Sequence, residues 1–164
     1  MAKRLRLKLD QEIDFNLFAV VTSLRDFEFA FHLNRRLSFS FKKNKKKIWY
    51  KEEKIKKKIT HTIFQQTNEE GVWNIIQNKG KIKEEDHRET KTKENIFAYE
   101  AQNTIRKSFI EEYKHIDYFL QTPDKINIYI EKEIQLSIKK MPNITTVFKL
   151  DTSRIKEIER FFFE

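Results

Sequence analysis

A chain of 164 residues, with 34 Lys and Arg against 25 Asp and Glu and a formal charge of +9, is sized for a single domain spanning 1–164. It has no cysteine, which excludes disulfide and thiolate chemistry and fits a reducing cytoplasm. Its longest apolar run, Leu17 to Val21, is far too short to cross a bilayer, and the basic start leads into alternating Leu and basic residues instead of a signal-peptide core, so no membrane association is expected.

Leu5, Leu7 and Leu9, then Ile13, Phe15 and Leu17, alternate with polar residues, and Leu17-Phe18-Ala19-Val20-Val21 reads as a strand end buried on both faces. Ser23, followed by Asp26, has the form of a helix N-cap. Leu24, Phe27, Ala30, Phe31 and Leu37 then set a helical spacing that ends near Arg36, with Phe29 and Leu33 widening the apolar face. Ser38-Phe39-Ser40-Phe41 returns to a period of two.

The lysine-rich segment 42–58 follows, interrupted by Ile48-Trp49-Tyr50. The runs 59–64 and 72–76 are expected to pair as a hairpin, with Gly71 supplying the unusual turn dihedrals. Between about 79 and 95 almost nothing is apolar and both charges alternate, so a mobile charged loop is expected there. Two more strands are expected at 105–110 and 116–121. Pro123 is compatible with a helix start, and Ile126, Ile130, Ile134, Ile138 and Met141 recur at helical steps, although Ile126, Ile128 and Ile130 also alternate as a strand would. A strand over 145–150 and a short helix capped by Asp151-Thr152-Ser153 close the chain. Together these elements predict an α+β fold: a mainly antiparallel sheet with helices packed on one face, in a ferredoxin-like or ACT-like sandwich.

The stretch from Phe109 to Leu120 is similar to the signature of the IPExxxVDY family, small bacterial proteins with no established activity. Ile110, Glu112, Asp117 and Tyr118 fall on the I, E, D and Y of that motif. Glu111 stands where the family has proline, which removes a residue that fixes φ, and Ile116 replaces valine. The likeness extends over the flanks, from Lys3 to Val21 with the following helix and from Pro123 onward, and is absent between about Gly80 and Asn95. The resemblance implies a bacterial origin and brings no mechanism with it.

The positive charge is concentrated. Segment 42–58 holds ten lysines and two glutamates, which leaves only +1 for the rest of the chain. Lys43, Lys45, Lys46, Lys47, Trp49, Tyr50 and Lys54 are the candidate RNA contacts there, since lysine attracts phosphate and exposed aromatics stack on bases. The bland reading is A+T-rich codon bias, preferred on the excess of Lys over Arg and of 20 Ile over 5 Ala.

No chemistry is legible elsewhere. His32, His61, His87 and His115 have no two at ligand spacing on one element, two glycines cannot build a phosphate-cradling loop, and no serine lies in a nucleophile elbow. Neither a metal nor a cofactor is expected. Glu112 and Asp117 are the best carboxylate pair, but the preferred reading gives Glu112 a lysine partner and leaves Asp117 and Tyr118 to fix the strand. The expected function is that of a non-enzymatic cytoplasmic regulatory or interaction domain binding a protein partner or small ligand, with a homodimer through the sheet left open. The alternative is RNA binding through 42–58.

Overall fold

The structure, a computed structural model, describes residues 12–45, 48–52, 57–83 and 106–163. Its first element is β1 (Phe15–Thr22), a strand without charge. Leu17, Phe18, Ala19 and Val20 are each fully buried, because both sheet faces are covered here. α1 (Asp26–Leu37) follows, and then β2 (Lys42–Lys43), β3 (Ile48–Glu52), β4 (Lys57–His61), β5 (Ile63–Asn68), β6 (Gly71–Gln77), β7 (Lys79–Lys83) and β8 (Arg106–Ser108). β9 (Tyr118–Pro123), α2 (Ile128–Lys139) and β10 (Ile144–Leu150) complete the regular structure among the described residues.

The strands form two sheets, one ordered β10-β1-β9-β6-β5-β2 and a smaller one ordered β3-β4-β7-β8. Every pairing is antiparallel. The fold is therefore α+β, as its periodicities predict. The four strands β10-β1-β9-β6, with α1 between β1 and β6 and α2 between β9 and β10, follow a β-α-β-β-α-β order compatible with a ferredoxin-like arrangement.

Two apolar clusters sandwich the large sheet. On one face Phe29, Ala30 and Leu33 of α1 and Ile134 and Ile138 of α2 meet Phe18, Val20, Trp73, Ile75 and Leu120. On the other, Leu17, Ala19, Ile76 and Phe119 are covered by Phe109, Ile110, Ile116, Ile155 and Phe161. The terminal Phe161 packs edge-on against Phe109 and Phe119, with centroids 5.2 and 5.3 Å apart.

Several boundaries differ from expectation. α1 is entered from Arg25, not Ser23: the Arg25 amide and guanidinium both donate to Glu28, at 2.9 and 3.0 Å. Ser23 instead donates its amide to Asn143. Pro123 ends β9, and α2 is capped by Asn127, whose side chain accepts from the Tyr129 amide. The short terminal helix is two 3-10 turns, Thr152–Arg154 and Ile158–Phe161. Segment 38–41 is irregular, and only Lys42–Lys43 pairs, with β5.

The expected strand 59–64 is broken at Thr62 into β4 and β5, which belong to different sheets, and its partner breaks at Asn78 into β6 and β7. Register slips by two residues at this crossing, from Ile63 opposite Ile76 to Thr60 opposite Lys81. The extra residues bend the hairpin out of the large sheet into the small one. Gly80 is required there, since a Cβ would lie 2.5 Å from the His61 ring. The mobile loop expected over 79–95 accordingly begins as strand β7, and its remainder from 84 lies outside the described residues.

Candidate functional site

The motif stretch leaves β8, makes a 3-10 turn over Glu111–Tyr113 and enters β9. Asn78, fully buried at the hairpin crossing, holds this loop. Its Oδ1 accepts from the Ile110 amide at 3.1 Å, while its Nδ2 donates to the carbonyls of Tyr113 and Ile116 at 2.9 and 2.8 Å. Its own backbone binds Asp117 and Phe109. A buried polar side chain is nearly always hydrogen-bonded, and all three of these Asn78 side-chain bonds go to backbone groups of the motif loop.

The four motif residues take separate tasks. Ile110 is buried in the core. Glu112 is exposed and accepts from the Lys156 amide at 2.9 Å, with the Lys156 ammonium at 4.0 Å. Asp117 accepts from the Thr22 amide and from Lys79, both at 2.9 Å, tying β1, β7 and β9 together. Tyr118 donates its hydroxyl to the Leu24 carbonyl at 2.8 Å and stacks on Phe29, and burial holds its pKa well above the ordinary tyrosine range. Glu112 and Asp117 bind different elements, so they form no acid–base pair. Tyr118→Phe should lower stability by about 1 kcal/mol, the worth of a typical buried hydrogen bond, as read from the urea unfolding midpoint.

The second feature is the small sheet. By strand register, positions 49 and 51 of β3, 58 and 60 of β4, 79, 81 and 83 of β7, and 106 and 108 of β8 share one face. Ile59, His61 and Gly80 on the opposite face are buried, whereas Lys81 is exposed and Thr60, Lys79 and Ser108 are half-buried. The shared face is thus the outer one. By register, Lys51, Lys58, Lys79, Lys81, Lys83, Arg106 and Trp49 hold positions on it, and among the described residues no acidic residue does, although Lys79 is already paired with Asp117 at 2.9 Å. At its margin Lys79, Lys107, Ser108, Glu111 and Lys114 line a cleft of about 460 Å3.

The candidate RNA contacts are dispersed by this arrangement. Lys43 is exposed on β2 of the large sheet, Lys45 is exposed beyond it, and Lys46, Lys47 and Lys54 lie outside the described residues. Trp49 holds an outer-face position, but Tyr50 pairs in register with the buried Ile59 and belongs to the inner face. Lys79, Lys81, Lys83 and Arg106 escape a linear reading because they join 51 and 58 only through strand pairing.

Among the described residues no three His, Asp or Glu side chains cluster as metal ligands, and no helix is long and apolar enough to cross a membrane. The fold and its surface define an α+β domain carrying an appended basic sheet. Comparison with protein-family models, curated proteins and solved structures finds no match to the chain.

Proposed function

We propose that this chain is a non-enzymatic binding domain that takes single-stranded RNA on the outer face of β3-β4-β7-β8. The observation that carries this reading is the register of like charges: Lys51 opposite Lys58, Lys58 opposite Lys83, and Lys81 opposite Arg106. Like charges directly opposite one another destabilise a sheet. A bound phosphate backbone offsets that repulsion and releases counterions. Codon bias alone would load every exposed surface with lysine. Yet α1 balances Asp26 and Glu28 with Arg35 and Arg36, and α2 balances Glu131 and Glu133 with Lys132 and Lys139. An aromatic residue at position 49 suits base stacking, and the preponderance of Lys over Arg suits binding with little base selectivity.

Membership of the IPExxxVDY family and a cytoplasmic setting are part of the same proposal. The match of Ile110, Glu112, Asp117 and Tyr118 to the motif supports the first and the absence of cysteine the second.

The test is retention of a fluorescent single-stranded RNA by the protein and by a variant with Lys51, Lys58, Lys81 and Lys83 changed to Gln. Affinity should fall at least about tenfold, and the slope of log K against log salt should flatten by roughly 0.7 for each phosphate that is no longer neutralised. The same variant should unfold at equal or higher urea concentration in the absence of RNA, because the opposed charges are gone. Unchanged retention with an unchanged salt slope would refute the proposal.

A further inference from the structure

A second cleft, of about 450 Å3, lies between the end of α1, the β5–β6 turn and the first half of α2. Its floor is apolar: Leu37, Phe39, Trp73, Ile130 and Ile134. Glu69, Glu70 and Glu133, all exposed, stand at its rim. Among the described residues no Lys or Arg lines it, although the chain has 34 of them. Leu37, Phe39 and Ile130 are only half-buried, so the floor offers apolar surface to a ligand.

The walls are set before anything binds. Asn68 Oδ1 accepts from the amides of Glu70 and Gly71 and from the Trp73 indole at 3.0 to 3.2 Å, which pins the turn that presents Glu69 and Glu70. Gly71, at φ +134°, closes that turn. Phe39 packs on Trp73 with ring centroids 5.1 Å apart. A preformed cleft avoids much of the ordering cost of association.

We infer that this cleft is a docking site for a cationic, leucine-bearing segment of a partner protein. Apolar side chains of that segment seat on the Phe39–Ile130 floor, and its Lys or Arg residues lie against Glu69, Glu70 and Glu133. The charge argument is directional. Phosphate is repelled by the three glutamates, so the occupant is not the ligand of the basic sheet. A protein of net charge +9 repels cationic peptides in general, so saturable binding of one requires a local acidic surface such as this.

The probe is a fluorescein-labelled peptide of alternating Lys and Leu, titrated with the full chain at low salt and followed by anisotropy. Saturable binding is expected, and reversing the rim with Glu69→Lys, Glu70→Lys and Glu133→Lys should weaken it about tenfold or more, as loss of charge complementarity does. Ile130→Ser should weaken it through the floor with the rim intact. RNA retention by the rim variant should persist, which separates this inference from the proposed function. Absence of saturation, equal binding by the reversed rim, or equal binding of a Glu-for-Lys peptide by the wild-type and reversed-rim chains would each overturn it.

Discussion

Asn78→Ala should cost about 3 kcal/mol or more of folding stability, because it strips the partners from two buried backbone groups at about 1–3 kcal/mol each. The Ile110 amide loses its acceptor and the Ile116 carbonyl loses the Nδ2 donor, while the Tyr113 carbonyl keeps the Ile116 amide. The amide group is fully buried, so water cannot replace it without opening the loop. Loss should be local first: amide exchange across Phe109–Asp117 should accelerate more than across β1. Asn78→Asp should not rescue, since its carboxylate keeps the acceptor for Ile110 but faces the Tyr113 and Ile116 carbonyls. A urea midpoint for Asn78→Ala within error of wild type would show that the loop is held by Ile110, Phe109 and Asp117 alone.

Asn78 also marks where sequence reading stops. β1 and the hairpin are legible because burial on both faces leaves uncharged β-rich runs, Leu17 to Val20 and Trp73 to Ile76, and because Gly71 announces its turn. A lone Asn among Gln77 and Lys79 carries no such pattern, and its role depends on a loop more than 30 residues away. α1 lies where its spacing predicts, but the face that packs is not the one that Phe27 and Phe31 mark. Its run Phe27-Glu28-Phe29-Ala30-Phe31 offers apolar residues to two faces. The one that packs is Phe29, Ala30 and Leu33, with Phe27 and Phe31 left 53% and 59% exposed.

The basic face shows the limit most plainly. Segment 42–58 announces charge but not direction, because alternation among lysines has no apolar phase to set it. Direction comes from Ile59, whose complete burial fixes which neighbours face out. The other half of the face, Lys79, Lys81 and Lys83, reads as unstructured charge until pairing with Lys58, Thr60 and Arg106 makes it a strand. Of the residues that the linear segment offers to RNA, several lie outside the described residues, and only Trp49 holds a position on the outer face.

The crossing that Asn78 organises should also make the fold sensitive to mild acid. His61 is fully buried beside Gly80 and Phe109, and its Nδ1 lies 3.0 Å from the Gln77 carbonyl, so in the neutral ring that nitrogen is the donor. Burial, opposed by the Gln77 hydrogen bond and reinforced by the nearby Arg160 cation, lowers its pKa from 6.5 to about 4. The unfolded chain therefore takes up a proton near pH 6.5 that the folded chain refuses until about pH 4. Stability from this residue is complete above pH 6.5 and drains as pH falls toward 4. Each pH unit inside that window is worth about 1.4 kcal/mol, so between pH 7.5 and 5 the loss should approach about 2 kcal/mol. The range above pH 5 matters because ordinary carboxylates stay ionised there. His61→Gln keeps a donor toward Gln77 but cannot titrate; it should be less stable at pH 7.5 and nearly flat over the same interval. Urea midpoints at half-unit steps decide the matter, and a wild-type curve as flat as the variant's would remove His61 from the account of acid sensitivity.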